Sequence, residues 1–266
     1  MKIRSLFYYP VKSLAGIATD TLTLDRFGPS YDRRWMLVDG QGQFVSQRRY
    51  PSLVRIKPAL RDGQLMLDIP GHGTLAVTQG TREREVTVWR DQVAGALEAS
   101  GSAADAISAF LGCPVSLVYM PETVTRPARH ESLAGTHPVS FADGFPLLVT
   151  SQASLDDLAS RLPGYGDMRR FRPNVVIEGA GAWAEDQWQV MGLGDVRVRM
   201  VKPCSRCIMT TVDPDTGDRS PIGEPLKTLA SFRRTSDGVM FGVNGVHENT
   251  GTLRVGNPVT LIDSEE

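Results

Sequence analysis

Short apolar runs separated by turn chemistry dominate the first 120 positions. Residues 1–9, 19–24, 34–38, 53–60, 65–69, 74–77 and 85–88 are each rich in β-branched, aromatic and aliphatic side chains. Between them lie Phe27-Gly28-Pro29, Asp39-Gly40-Gln41-Gly42, Asp62-Gly63 and Pro70-Gly71. This pattern predicts strands joined by tight turns, and Asp62-Gly63 predicts a hairpin. Many short strands at such spacing favour a barrel or sandwich over an open parallel sheet.

The period then changes. Residues 103–111 place Ala103, Ile107, Phe110 and Leu111 at helical spacing and stop at Gly112, and 115–120 read as another strand. The stretch 121–137 is polar, rich in Pro and His and without a period, which marks a linker. Beyond it, 147–150 predict a buried strand. Ser151 stands as N-cap of a helix over 152–162 with Ala153, Leu155, Leu158, Ala159 and Leu162 on one face. Residues 175–177, 196–201, the β-branched run 208–212 and 253–261 favour strand, and 226–233 favour helix. The expected fold is mainly β with α (α+β). A β-rich, barrel-like N-terminal domain occupies 1–120, and a β-barrel domain with peripheral helices occupies 121–266.

Composition narrows the function classes. The 266 residues are 41% hydrophobic, ordinary for a globular chain, and the net charge of −1 gives no global reason to expect nucleic acid or an anionic membrane. The apolar runs, such as Pro146-Leu147-Leu148-Val149, fall far short of the roughly 20 residues that span a bilayer. The N-terminus lacks the apolar core of a signal peptide. Three cysteines, Cys113, Cys204 and Cys207, are too sparse for a disulfide framework, so a reducing cytoplasm is the expected location.

Cys204 and Cys207 form the motif nearest to chemistry. Structural zinc needs four ligands, and His72, His130, His137 and His247 have no metal-finger spacing. A thioredoxin-like dithiol normally opens a helix, whereas Ile208-Met209-Thr210-Thr211-Val212 favours strand. In extended chain, residues three apart point to opposite faces, so the two sulfurs are expected in different surroundings. One would be free to ligate a soft metal while the other packs as a small hydrophobe. Taken alone, the motif is equally compatible with two buried free cysteines.

The segment Pro203-Cys204-Ser205-Arg206-Cys207-Ile208-Met209-Thr210-Thr211-Val212-Asp213-Pro214-Asp215-Thr216-Gly217 resembles the signature of MOSC proteins, named for the C-terminal domain of molybdenum-cofactor sulfurase. It is most similar to the branch of the mitochondrial amidoxime-reducing components and their bacterial relatives. Tyr9-Pro10-Val11-Lys12-Ser13, Tyr31-Asp32-Arg33-Arg34-Trp35 and Phe171-Arg172-Pro173-Asn174 match further motifs of that branch in order, so the resemblance runs from about Lys2 to Leu261. It implies an N-terminal MOSC-associated domain followed by a MOSC domain. It also implies a molybdenum–molybdopterin cofactor whose metal is bound by Cys207, with Ser205 and Arg206 beside it. Lys12, Ser13, Arg33, Arg172 and Asn174 match residues that hold the pterin and its phosphate. Asp143, Gly144 and Phe145 align with a further binding loop, although Gly and Phe stand where the family has small polar residues. The resemblance also implies that Asn244, at a position that is aromatic in some relatives, would stand beside the metal, and it joins Cys207 as a catalytic candidate.

The residue chemistry agrees with that set. Lys12, Arg33 and Arg172 supply cations, and the guanidinium fork suits phosphate oxygens. At ~4 Å and an effective dielectric near 20, each unit-charge pair contributes roughly 4 kcal/mol before desolvation. Asn174 and Asp143 offer partners for a pterin edge. Gly71-His72-Gly73 reads as a turn, His130 and His137 as solvated, Asp156-Asp157 as an exposed helix face, and Cys113 as core. Trp183, Trp188, Glu185 and Asp186 read as ordinary packing.

The function implied is a molybdenum-dependent oxidoreductase that reduces N-hydroxylated compounds such as hydroxylamines, amidoximes and N-hydroxylated bases. The alternative is a cofactor carrier or sulfur-delivery protein that uses Cys207. Neither the iron–sulfur domain fused to some bacterial relatives nor the membrane anchor of the mitochondrial members is expected here, since residues 1–266 show no cysteine cluster and no long apolar run. Electrons are therefore expected from a separate flavoprotein or ferredoxin-like donor, with no nucleic-acid or membrane partner.

Overall fold

The structure, a computed structural model, describes residues 1–262, so the last four residues of the expected second domain, 263–266, lie outside the described residues. Its centre is a large mixed sheet. The strand Leu147–Ser151 runs parallel to Val175–Glu178 and antiparallel to Gly238–His247. The sheet continues on the second side through Val196–Arg206, Val190–Leu193 and Val259–Ile262. On the first side Val175–Glu178 pairs with the N-terminal strand Lys2–Tyr8, which in turn pairs with Ile17–Thr19. Thr21–Asp25 likewise pairs with Gly251–Arg254. The first 25 residues thus build on elements from the far end of the chain. Ile3, Leu6, Leu22 and Leu24 share one buried cluster with Leu147, Val149, Val175, Val198 and Leu253. Among the described residues the fold is mainly β with three α-helices, and the two sides of the sheet approach each other where Lys2 bridges Pro258 and the Val259 amide donates to the Met1 carbonyl at 3.0 Å.

The remaining N-terminal strands form a second layer. Trp35–Val38, Ser116–Tyr119, Asp91–Ser100 and Thr78–Val88 make a four-stranded antiparallel sheet. Lys57–Arg61, Gln64–Ile69 and Gly73–Ala76 make a meander under the helix Ala103–Leu111. That helix has the bounds its spacing predicts and ends on left-handed Gly112. Asp62 and Gly63 both have positive φ, 51° and 78°, as a type I′ hairpin requires.

Several elements differ from expectation, each for a local reason. Residues 53–55 are not strand: Pro51 opens a 3-10 turn, Pro51–Arg55, because proline has no N–H for a ladder and a helix-compatible φ. Residues 208–212 are not strand either. Ile208–Thr211 is a 3-10 turn in which the Thr210 and Thr211 hydroxyls donate to the carbonyls of Cys207 and Ile208, at 3.0 and 2.7 Å. The stretch 253–261 divides into two strands around Gly256 (φ 87°) and Pro258. Ser151 is the N-cap of Gln152–Arg161 by position, but its hydroxyl makes no capping bond, since that residue still belongs to a buried strand. The polar stretch 121–137 contains a fixed point: buried Arg126 donates to the carbonyls of Ser140 and Ala142, at 3.0 and 2.6 Å, and pins the loop ahead of Leu147.

Candidate functional site

All twelve residues nominated from the sequence line one cleft, with about 870 Å³ of empty space counted to its open mouth. Lys12, Ser13 and Arg33 come from the loops after the first strands. Asp143, Gly144 and Phe145 come from the loop that enters Leu147–Ser151. Arg172 and Asn174 flank the start of Val175–Glu178, and Ser205, Arg206, Cys207 and Asn244 lie along the strands Val196–Arg206 and Gly238–His247 or just beyond.

The floor is a network around Tyr9 and Asp32. Tyr9 is buried and donates its hydroxyl to the Pro173 carbonyl at 3.0 Å, and burial pushes its phenol up to about 12 against the pull of Arg172 and Arg33. The guanidinium carbons of Arg33 and Arg172 lie 4.5 and 4.2 Å from the Tyr9 ring centre. Buried Asp32 accepts from the Tyr9 amide at 2.8 Å and from Arg33 Nη1 at 2.5 Å. Burial raises the Asp32 carboxyl, although Arg33 opposes the shift. Burial also lowers Arg172 to about 10. Asn174 is 1% exposed and uses its whole side chain inside the protein. Its Oδ1 accepts from Arg33 Nη1 and the Leu148 amide, and its Nδ2 donates to Asp32 and to the Phe7 carbonyl.

One wall is built on Lys12. Its Nζ donates to the Phe141 carbonyl at 2.7 Å and to Asp143 Oδ1 at 2.5 Å. Desolvation lowers the Lys12 ammonium, with Asp143 opposing. For Asp143, desolvation pushes the carboxyl up, but Lys12, the Trp89 indole and Arg33 outweigh it and hold the group far below the usual carboxylate range. Gly144 faces open space, and Phe145 lies 5.7 Å under the Lys202 ammonium.

The opposite wall carries both sulfurs. The expectation of opposite faces is overturned. Register shifts near Pro203, the strand ends at Arg206, and Cys207 caps the following 3-10 turn, so Cys204 and Cys207 line the same cleft. Their partners differ. Arg206 Nη1 donates to Cys204 Sγ at 2.9 Å, and Arg48 Nε donates to Cys207 Sγ at 3.3 Å. Asn244 is half-buried, with its amide 3.5 Å from the Lys202 carbonyl.

Five cations, Lys12, Arg33, Arg48, Arg172 and Arg206, line the cleft against one lining carboxylate, Asp143, with Asp32 buried beneath as the partner of Arg33. Sequence reading missed Arg48, Trp89, Phe44, Tyr9 and Asp32. Tyr9 and Asp32 sat inside the quoted motifs and were the legible ones. Arg48 and Trp89 lie in a loop and a hairpin tip with no pattern of their own. Among the described residues, four of the seven non-glycine positions with positive φ, Ser13, Arg33, Trp89 and Arg172, line the cleft. Backbone held at a cost of about 1–3 kcal/mol per residue concentrates at such sites.

Known proteins resemble this chain along most of its length. Residues 1–114 match the MOSC N-terminal beta barrel domain, and residues 136–260 match the MOSC domain. Mitochondrial amidoxime-reducing component 1 of Mus musculus is 35% identical over 98% of this chain and 82% of its own length. The human component 1 is 36% identical with the same coverage. This chain belongs to the MOSC family, in the branch of the amidoxime-reducing components. Mitochondrial amidoxime reducing component 2 of Homo sapiens, at 32% over 97% of the chain and 82% of that protein, is a further relative in the branch. Among the described residues of this MOSC protein no helix is long and apolar enough to cross a membrane, and no group of three or more His, Cys, Asp or Glu side chains is placed to hold a metal by itself.

Proposed function

We propose that this MOSC protein is a molybdenum-cofactor-dependent oxidoreductase that reduces N-hydroxylated compounds. The observation that carries the reading is the excess of five cations over one carboxylate around a cleft that also presents the Cys207 thiol. A multiply anionic ligand with its own sulfur donors fits that composition, because one protein thiolate then completes the soft coordination. Lys12, Arg33 and Arg172 would hold its phosphate and pterin, with Ser13, Ser205 and Arg206 beside it and Asp143, Gly144 and Phe145 closing one side. Asn174, already saturated, would act by fixing Arg33 and Asp32. Cys207 would bind the metal with Asn244 as its neighbour.

When bound, the cofactor supplies the two-electron chemistry; the protein orients it and tunes its electronics. The reaction consumes two electrons and two protons. The N–O bond breaks, its hydroxyl leaves as water with one of the protons, and the nitrogen takes the other. The electrons would come from a separate flavoprotein or ferredoxin-like donor. The three free thiols fit a reducing compartment such as the cytoplasm.

Protein purified from a host that makes the cofactor should contain molybdenum near one atom per chain, with pterin and little zinc. With a chemical reductant it should convert a benzamidoxime to the amidine. Stoichiometric zinc without pterin would overturn the reading. Tight cofactor binding without turnover, with transfer to an apo-enzyme, would establish a carrier instead.

A further inference from the structure

Arg48 stands outside the four motifs that carry the family resemblance, yet it touches the sulfur on which the proposed chemistry depends. Its Nε lies 3.3 Å from Cys207 Sγ. The rest of the side chain is clamped. The guanidinium carbon sits 4.3 Å from the Trp89 ring centre, and the Trp89 indole N–H donates to Asp143 Oδ1 at 3.1 Å. Trp89 also packs edge-on against Phe44 at 4.7 Å. The backbone is fixed as well: the amides of Arg49 and Tyr50 both donate to the Ser46 carbonyl at 3.0 Å, and the Arg219 guanidinium donates to the Arg48 carbonyl. A half-buried arginine held at its plane, its loop and its carbonyl presents one N–H in a fixed direction. That direction is the thiol of Cys207.

We infer that Arg48 is a positioning residue that aims the Cys207 sulfur and withdraws electron density from it through the Nε–H···Sγ hydrogen bond. The inference rests on the reading of Cys207 as the metal's ligand. A hydrogen bond to a ligand sulfur weakens its donation to the metal and raises the reduction potential, and outer partners of this kind typically change metal affinity or activity by about 10–100-fold. Lysine cannot substitute, since it lacks the planar Nε–H and the flat face that stacks on Trp89. Arg206 plays the matching part for Cys204 but also donates to the Phe171 carbonyl, so each thiol is held by its own arginine from a different half of the chain.

The test uses the full-length protein with Arg48→Lys and Arg48→Met, loaded in the same host as the parent. Metal and pterin content are measured first. The visible sulfur-to-metal charge-transfer band and the midpoint potential are then measured on the occupied fraction, alongside apo-protein melting. Both variants should shift the band, move the potential to more negative values and weaken metal retention by about tenfold or more. A band and potential unchanged in both, whatever happens to melting or occupancy, would show Arg48 to be only a loop strut. Parent-like values in Arg48→Lys with a shift in Arg48→Met would show that charge alone acts, and would overturn the directional bond. If neither variant loads, Trp89→Leu carries the test: removing the stacking support should shift the band the same way by less, and an unshifted band overturns the inference. A parent without molybdenum removes the reading of Cys207 and this inference together. A loaded parent with unshifted variants removes the inference alone.

Discussion

Arg33 and Arg172 show how cations are kept inside a protein while staying available to an anion. Each lies against the Tyr9 ring, Arg33 is paired with Asp32, and Arg172 donates to the Leu14 carbonyl at 2.7 Å. Removing a partner would strand a buried charge, the costly case for such networks. The two thiols divide in the same residue-specific way. Cys207→Ser should lose its molybdenum, whereas Cys204→Ser should keep most of it, because a serine hydroxyl can still accept from Arg206. Elemental analysis of both variants decides, and equal loss would point to a shared dithiol site. A second residue-scale prediction concerns Glu185, fully buried, with Oε2 accepting from the Ser154 hydroxyl at 2.7 Å and Oε1 without a partner. Burial raises its carboxyl above the usual value of 4.5. A raised acid contributes stability that is complete below about pH 4.5 and is lost as pH rises through the folded-state value. Melting of Glu185→Gln compared with the parent should therefore move in the variant's favour between about pH 4.5 and 8. A change of 2–4 °C would correspond to about 1 kcal/mol in a chain this size. A pH-independent difference would show that the carboxyl is charged throughout.

At the scale of elements, legibility followed side-chain chemistry. The helix Ala103–Leu111 and the Asp62-Gly63 hairpin could be read because apolar spacing and turn residues agreed with the final packing. The strand Gly238–His247 could not, although it lies centrally, because Gly238, Gly242 and Gly245 interrupt its pattern. Those glycines answer to neighbours distant in sequence. Gly242 has φ 76°, and a Cβ there would come within 2.9 Å of the Val149 carbonyl. At Gly238, φ 127°, a Cβ would collide with the Ser205 hydroxyl. Thr78–Val88 was legible only at 85–88, and Asp91–Ser100 not at all, because they are otherwise mostly polar or small and solvated along much of their length. The candidate site was legible where motifs marked it and silent at Arg48 and Trp89, which reach the cleft only through tertiary folding. Gly242→Ala, strained and clashing with backbone, should destabilise the protein by about 1–3 kcal/mol. Gly238→Ala should in addition displace Ser205 and lower cofactor occupancy. Denaturant unfolding together with metal analysis separates the two, and equal occupancy in both variants would exclude the displacement.

The whole molecule is organised so that no half of the chain owns the cleft. Lys12, Arg33, Arg48 and Trp89 come from the first half, and Asp143, Arg172, Arg206 and Cys207 from the second. The sheet is shared in the same way, since Lys2–Tyr8 hydrogen-bonds along Val175–Glu178. A ligand that binds only the assembled cleft stabilises the assembly by mass action, by about 4 kcal/mol at a thousandfold excess over its Kd. Residues 121–266 expressed alone would expose that strand edge. They would also lose Ile3, Leu6, Leu22 and Leu24 from the cluster around Val149 and Val175, at roughly 1.5–3 kcal/mol for each large side chain left unburied. Set against the 5–15 kcal/mol that holds a typical domain together, that loss is decisive. The fragment should therefore show no cooperative melting transition and bind no molybdenum cofactor. Co-expression with residues 1–120 should restore both, because the strand and the Lys12 wall return together. A fragment that melts cooperatively and retains the cofactor without its N-terminal partner would show that the second half carries the site by itself.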